Sequence, residues 1–182
     1  VTYQDSCHLS NAQPILSRSP TIELALGHNG NIVNAVELKN ELAGWGCTFR
    51  GSSDSEVIAQ LLANAPGRDW GERVQYLMRR VQGAYSLVVM TKDSLIAIRD
   101  PLGVRPLCVG KMNEGWIVAS ESCALDHLGA ELVREVEPGE AIIIDDHGMK
   151  TIYRGNKRKR ASCIFEYIYF ARADSIIGGK LT

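Results

Sequence analysis

The dipeptide Asn29-Gly30 is the first part of this sequence whose residue types could do chemistry. The side-chain amide of Asn29 is a hydrogen-bond donor, and no Cβ atom shields the backbone N–H of Gly30. Two such donors could form an oxyanion hole for acyl transfer, in which each donor is worth about 2.7–4 kcal/mol. The same dipeptide is a strong turn signal, and spacing alone favours an ordinary Asn-Gly turn between a strand and a helix. The neighbouring His28 is expected to be a hydrogen-bonded structural histidine rather than a base.

Asp54 is a second candidate, because it follows two serines at the predicted start of a helix. Its carboxylate could pair with the ammonium group of a ligand. The alternative is a capping and helix-dipole role, worth about 0.3–1 kcal/mol. Since a helix N-terminus favours anions, a cationic ligand there would need Asp54 itself as its partner. Without further information, the pattern favours the capping role.

Three other segments carry charge or a nucleophile. Residues 99–106 contain two prolines, a glycine and charges of both signs, which predicts a rigid loop held by internal Arg–Asp pairing. Cys7-His8 could suggest a thiol protease, but adjacent residues rarely place a nucleophile against its base. The basic run at 157–160 could be a nucleic-acid patch. The balanced net charge favours a solvated loop there instead.

Helices in the first half and strands in the second must position these candidates. Apolar residues at helical spacing predict a first helix over 35–43 with Asn34 as N-cap, a second after the Ser53–Glu56 capping box and a third from Asp69. A short helical turn is predicted over 122–128. Apolar runs predict strands at 22–26, 84–91, 95–99, 107–111, 116–120, 132–136, 140–144, 149–153 and 163–170. This order predicts an α+β layered fold and not a parallel βαβ series.

Composition narrows the class of protein. The 182 residues carry 20 Lys+Arg against 21 Asp+Glu, a net charge of −1, which argues against non-specific nucleic-acid binding. Apolar residues make up 45% of the chain and charged residues 23%, so we expect a globular domain. Charge-free apolar stretches are too short to span a membrane. Five scattered cysteines without a CxxC pair indicate a reducing compartment and no structural zinc.

Five segments, taken together and in order, closely resemble the amidophosphoribosyltransferases, a family of glutamine-dependent enzymes. His-Asn-Gly-Asn-Ile-Val-Asn-Ala at 28–35 and Ser-Ser-Asp-Ser-Glu at 52–56 are shared with other class II glutaminases. The segments that narrow the resemblance are the Arg-Asp-Pro loop at 99–107, Ala-Ser-Glu-Ser-Cys-Ala-Leu-Asp at 119–126 and the Cys-Ile-Phe-Glu-Tyr-Ile-Tyr-Phe-Ala-Arg segment within 163–175. The similarity runs from Asn11 to about Ser175.

The resemblance implies a fold and a reaction. The fold would be an incomplete N-terminal-nucleophile (Ntn) hydrolase αββα four-layer sandwich. In that family an N-terminal cysteine attacks the glutamine side-chain amide, its own α-amine acts as base, and the glutamyl thioester is hydrolysed. The ammonia reaches phosphoribosyl pyrophosphate and gives 5-phosphoribosylamine, the first step of de novo purine synthesis. By carry-over, Asn29 and Gly30 form the oxyanion hole and Asp54 binds the glutamine α-ammonium.

The resemblance also sets expectations about the ends of the chain. It assigns residues 1–160 to the glutaminase domain and 161–182 to the start of a connection into a phosphoribosyltransferase domain. Both ends are expected to be cut, with the nucleophilic cysteine upstream of Val1, so the 182-residue polypeptide alone is expected to be inactive. Tyr3 stands where the family has threonine, and Ala173 stands where it has proline.

Cofactors, partners and location follow from the same resemblance. Cys163 matches a position that ligates an iron–sulfur cluster in some members, although cluster-free relatives also have cysteine there. No cofactor is expected within these residues, whereas the parent family uses Mg²⁺ and in some members a 4Fe–4S cluster. The expected partners are glutamine and, through the second domain, phosphoribosyl pyrophosphate. A cytoplasmic homodimer or homotetramer is expected, with no nucleic acid and no membrane.

Two alternatives remain at the level of the sequence. One is the glutaminase domain of another class II amidotransferase, such as glucosamine-6-phosphate synthase or asparagine synthetase. The Arg-Asp-Pro loop and the aromatic segment near the end argue against both. The other is a non-catalytic module with the Ntn fold, which would serve in binding or regulation.

Overall fold

The computed structural model describes residues 9–155, 172, 174–177 and 179–181. The helices are α1 (Ala35–Gly44), α2 (Asp54–Asn64), α3 (Trp70–Arg80) and α4 (Ser122–Leu128). The strands are β1 (Ile15–Arg18), β2 (Glu23–Ile32), β3 (Gly83–Met90), β4 (Leu95–Arg99), β5 (Cys108–Met112), β6 (Gly115–Ala119), β7 (Glu131–Glu135), β8 (Glu140–Asp145), β9 (Gly148–Arg154), β10 (Ile176–Ile177) and β11 (Lys180–Leu181). The strand predicted over 163–170, the basic run at 157–160 and Cys7-His8 lie outside the described residues.

The central element is an antiparallel sheet of six strands in the order β1-β2-β3-β4-β8-β9. Its two faces bury different sets of residues because side chains alternate along each strand. One face packs against α1, α2 and α3 through a large apolar cluster that includes Leu26, Leu87, Ile98, Ile58 and Leu77. The helices therefore form the first layer and this sheet the second.

The opposite face of the six-stranded sheet packs on a second sheet of three strands, in the order β6-β5-β7. Ala97, Ile142 and Ile144 meet Val109 and Val136 in the apolar layer between the two sheets. The outer face of the small sheet packs on α4 through Cys108 and Leu125. The resulting order of layers is helix, sheet, sheet, helix, which confirms the predicted αββα sandwich.

The chain changes sheet between β7 and β8. The sequence places Pro138-Gly139 between two strand signals, and the structure shows a crossing there rather than a hairpin. The β7 strand pairs with β5, whereas β8 pairs with β4 on one side and β9 on the other. The two predicted hairpins, β3–β4 and β5–β6, are confirmed.

Local chemistry at the helix starts differs in part from the prediction. Ser53 caps α2 by accepting a hydrogen bond from the Ser55 N–H at 3.1 Å. Glu56 does not close the expected capping box, because its carboxylate accepts the N–H groups of Arg50 and Gly51, each at 2.8 Å. Asn34 is the N-cap of α1, but its side chain bonds residues near the start of β3 and not its own helix.

Among the described helices, none is long and apolar enough to cross a membrane.

Candidate active site

The predicted turn at Asn29-Gly30 is wrong: β2 continues straight through it. This strand has ten residues, Glu23–Ile32, and keeps an unbroken antiparallel register with β3. Gly30 lies opposite Tyr85 in this ladder. The Asn-Gly signal misled because the glycine is needed for its backbone conformation within the strand.

Gly30 adopts φ +150°, which favours glycine. A Cβ atom at this position would lie 2.1 Å from the carbonyl oxygen of Ala84 and 2.8 Å from the Cα of Tyr85. The close approach of β3 therefore excludes any side chain here. Glycine is required for the strand to pass, independently of any function.

The edge of β2 beyond β1 is the most informative feature of the site. The pairing of β1 with β2 ends at Leu26, opposite Ile15. Beyond that residue, no other described strand pairs with β2 on this side, and side chains bind its backbone groups instead. The Gln13 amide brackets His28, accepting its N–H at 2.6 Å and donating to its carbonyl at 3.0 Å. The contacts with Gln13 end at His28, four residues before the last residue of β2, Ile32.

The N–H of Gly30 points to this same edge of β2. Backbone groups alternate along a strand, so Gly30 shares its direction with His28 and Ile32. The backbone of its cross-strand partner, Tyr85, is bonded to Asp100 on the far side of β3, which identifies Gly30 and Tyr85 as a non-hydrogen-bonded pair. Among the described residues, no acceptor bonds the Gly30 N–H.

Asp54 occupies the next position along this edge. Its Oδ2 atom accepts the Ile32 N–H at 3.1 Å, and its Oδ1 atom lies 3.7 Å from Nδ1 of His28. Only 8% of its side chain is exposed. The carboxylate also lies in the first turn of α2, where the helix dipole favours negative charge. The Gly30 donor thus lies between one donor satisfied by Gln13 and another satisfied by Asp54.

Asn29 leaves the strand on the face opposite to His28. Its side chain is half-buried, and its Nδ2 atom donates to Oγ of Ser120 at 3.2 Å. Ser120 follows β6 directly, so this contact joins the two sheets at the same end of the sandwich. The sequence candidates Asn29, Gly30 and Asp54 are therefore brought to one region around the end of β2.

His28 is buried among the helices, and its Nδ1 atom lies 3.0 Å from Oγ of Ser55. Burial lowers the pKa of His28, the Asp54 carboxylate opposes this shift and the Arg105 guanidinium adds to it. The imidazole is therefore neutral near pH 7. The expectation of a structural histidine holds for its position, but Nε2 has no hydrogen-bond partner among the described residues.

Gln13 and Ser120 are the supporting residues that sequence reasoning missed. Gln13 lies in the Asn-Ala-Gln-Pro segment, where the preceding Asn11 exchanges two hydrogen bonds with Ser52. Ser120 lies in the Ser-Glu-Ser segment that carried part of the resemblance. Both are polar residues beside a strand end, a signal too common to single out a site. Only the tertiary pairing reveals what they contact.

In the loop after β4, the charged side chains bind mainly backbone groups. The fully buried Arg99 donates to the carbonyls of Gly103, Arg105 and Val136 and lies 3.3 Å from the Glu135 carboxylate. The Asp100 carboxylate accepts the N–H groups of Leu102 and Val104. This loop supports the junction between the sheets.

The described residues contain no group of three or more His, Cys, Asp or Glu side chains that could hold a metal ion. Cys163, the suggested cluster ligand, lies outside the described residues. A cluster of this kind takes about four cysteines. The described thiols of Cys47, Cys108 and Cys123 do not form such a set.

Three comparisons agree on the relatives of this chain. The family model for the glutamine amidotransferase domain matches residues 6–127. The amidophosphoribosyltransferase of Archaeoglobus fulgidus is 45% identical over 173 residues, which cover 94% of this chain and 38% of that relative. The Bacillus subtilis amidophosphoribosyltransferase is also 45% identical, over 170 residues, 93% of this chain and 36% of the relative.

A solved structure supports the same relationship. The glutamine phosphoribosylpyrophosphate amidotransferase from B. subtilis, solved in complex with ADP and GMP, superimposes with a TM-score of 0.88 at 43% identity. The match covers 97% of this chain and 39% of that chain. The chain thus spans less than half of the length of these relatives. It belongs to the glutamine amidotransferase domain family, with the Ntn fold predicted from its sequence.

Proposed function

We propose that this chain is the glutaminase part of an amidophosphoribosyltransferase. The observation that carries the proposal is the Gly30 N–H, a donor on the edge of β2 that bonds no acceptor among the described residues, next in sequence to the amide of Asn29. Acyl transfer from glutamine requires donors that are fixed before negative charge develops on the amide oxygen. The antiparallel pairing of β2 with β3 fixes the backbone that carries both donors.

Asn29 and Gly30 form the oxyanion hole in this proposal, and Asp54 binds the α-ammonium of glutamine. The Asp54 carboxylate is held in place by the Ile32 N–H, so it does not need to reorganise when a cation arrives. A charge-assisted hydrogen bond of this kind contributes about 1.5–3 kcal/mol. Glutamine would then lie along this edge of β2, with its side-chain amide at Asn29 and Gly30 and its α-ammonium group at Asp54.

The nucleophile would be the N-terminal cysteine that the family resemblance implies. Its thiolate attacks the amide carbon, the C–N bond breaks, and ammonia leaves with a proton from the α-ammonium of the same cysteine. Water then hydrolyses the thioester to glutamate. The thiols of Cys47 and Cys108 are poor alternatives, because burial raises the pKa of Cys47 and raises that of Cys108 to about 12.

The wider activity is also part of the proposal. The whole protein would pass ammonia to phosphoribosyl pyrophosphate and release 5-phosphoribosylamine, with Mg²⁺ serving a phosphoribosyltransferase domain to which residues 161–182 begin the connection. Cys163 would be the one iron–sulfur ligand contributed here if this protein carries a cluster. We propose a homo-oligomer in the cytoplasm, where free thiols stay reduced.

The test uses the protein expressed from its complete coding sequence, with ammonia release from glutamine as the assay. Asn29→Ala should lower kcat by about 10²–10³ with little change in KM, because the lost donor acts in the transition state. Asp54→Asn should instead raise the KM for glutamine by about tenfold or more, because it removes the charge that holds the ammonium group.

Asn40→Ala, on the exposed side of α1, is the matched control and should behave as the wild type. An unchanged kcat for Asn29→Ala would remove the oxyanion assignment. A wild-type protein that releases no ammonia from glutamine, under conditions where its thermal unfolding is normal, would contradict the proposed function as a whole.

A further inference from the structure

The three residues that follow β6, of which the last begins α4, connect the proposed oxyanion hole to a distant part of the chain. Ser120, Glu121 and Ser122 are consecutive, and each makes a hydrogen bond to a residue at least 50 positions away. The proposed function gives them no role. Their contacts run in two directions, toward β2 and toward residues 172–176.

The first direction is the contact between Ser120 and Asn29. The amide of Asn29 carries two N–H bonds, and one of them is directed at Oγ of Ser120 at 3.2 Å. The terminal torsion of an asparagine side chain is broad and roughly two-fold, so this amide would turn readily without a partner. With one N–H held by Ser120, the plane of the amide is fixed and the second N–H is left for a ligand.

The second direction explains why Ser120 itself is fixed. The Glu121 carboxylate accepts the Arg172 N–H at 2.9 Å and the Ser175 hydroxyl at 2.7 Å. Ser122 Oγ accepts the Ile176 N–H at 2.7 Å. Ser122 and Ser175 are both buried. The segment that presents Ser120 is therefore held on its C-terminal side by three hydrogen bonds, from Arg172, Ser175 and Ile176.

We propose that Ser120 is a positioning residue that orients the Asn29 amide for oxyanion binding, and that the contacts of Glu121 and Ser122 with residues 172–176 hold it there. The proposal rests on the proposed function, because it needs Asn29 to act on a transition state. Ser120 acts through Asn29 and does not touch the substrate.

The experiment measures kcat and KM for glutamine in the full-length protein. Ser120→Ala should lower kcat about five- to tenfold, the effect of one lost neutral hydrogen bond, with KM unchanged. Ser120→Thr keeps the hydroxyl and should restore kcat to near the wild-type value. Ser94→Ala is the matched control, since it removes a serine hydrogen bond to Thr91 at the β3–β4 turn and should leave both constants unchanged.

A double-mutant cycle separates positioning from a general structural effect. In the Asn29→Ala background, Ser120→Ala should have no further effect on kcat, because the group that it orients is gone. An equal fold-loss in both backgrounds would overturn the proposal. So would a Ser120→Ala variant whose kcat matches the wild type. Thermal unfolding of each variant separates a kinetic effect from a folding defect.

The Asn29→Ala variant tests the proposed function separately from the positioning role of Ser120. If Asn29→Ala alone leaves kcat unchanged, the oxyanion assignment is wrong. If Asn29→Ala has its full effect and Ser120→Ala has none, only the positioning role is wrong.

Discussion

His28, Asn29 and Gly30 are consecutive residues that serve three different surfaces of one strand. The His28 ring faces the helices, the Asn29 side chain faces the small sheet, and the Gly30 N–H faces the edge of β2. Alternation along a strand produces the first two, and the early end of β1 produces the third. One strand therefore places three functional groups in three different surroundings without a loop at this position.

A first prediction concerns His28 and pH. Because its pKa is lowered in the folded state, the unfolded chain binds the proton more readily below the ordinary value of 6.5. Folding stability should therefore fall as the pH drops through this range and be fully recovered above it. Urea denaturation at pH 8 and pH 5.5 should show a smaller difference for His28→Gln than for the wild type.

The exposed His147 provides the comparison for this experiment. His147→Gln should keep the pH dependence of the wild type. If His28→Gln and the wild type lose stability in parallel between the two pH values, burial of the neutral imidazole is not the cause.

The residue types of the site could be predicted from the sequence, but their geometry could not. Asn29 and Asp54 stand out as polar residues at predicted element ends. Whether Asn29-Gly30 makes a turn or a strand depends on β3, which lies more than 50 residues along the chain and forces the glycine conformation. Local propensity cannot predict the effect of a strand that lies so far away in the sequence.

At the scale of elements, periodicity was enough for most of the fold. The three helices of the first half and both central hairpins follow from 3.6- and 2-residue patterns. The exchange of sheets between β7 and β8 was missed, because two strands joined by Pro138-Gly139 look the same whether they pair with each other or separate. Which strands β7 and β8 pair with depends on the other strands that the whole molecule offers.

A second prediction tests the passage of β2 beside β3. Gly30→Ala should reduce the free energy of unfolding by more than about 2 kcal/mol, because a Cβ meets backbone atoms and φ is unfavourable. Urea denaturation measures this loss.

Gly44→Ala is the matched substitution for Gly30→Ala. It lies at the end of α1, where nothing is within 4 Å of an added Cβ, so stability should be unchanged or slightly higher. A Gly30→Ala protein as stable as Gly44→Ala would contradict the close strand approach.

At the scale of the molecule, one buried carboxylate joins the strands on both sides of the crossing. Glu140, at the start of β8, accepts hydrogen bonds from Arg134 of β7 and from Thr151 and Arg154 of β9. Burial alone would raise the pKa of Glu140, but Arg134, the Glu137 N–H and Thr151 together lower it to about 2. The ionised form is therefore built into the folded state.

The third prediction concerns acid stability. Because the pKa of Glu140 is lowered on folding, its stabilising contribution is present above the ordinary value of 4.5 and is lost as the pH falls towards 2. Glu140→Gln should lower the thermal unfolding temperature at pH 7 and lose less on acidification than the wild type does. Glu114→Gln, at an exposed turn, should follow the wild type at both pH values.

The crossing also shows how the two sheets are joined along the chain. The N–H of Val136 bonds the carbonyl of Leu107, and the N–H of Gly139 bonds the carbonyl of Asp100. The chain between β4 and β8 forms the small sheet and α4. These two hydrogen bonds hold together the points at which it leaves and rejoins the large sheet. A residue added or removed at the turn around Asn113 should therefore change the small sheet alone and leave the register of β4 with β8 as it is.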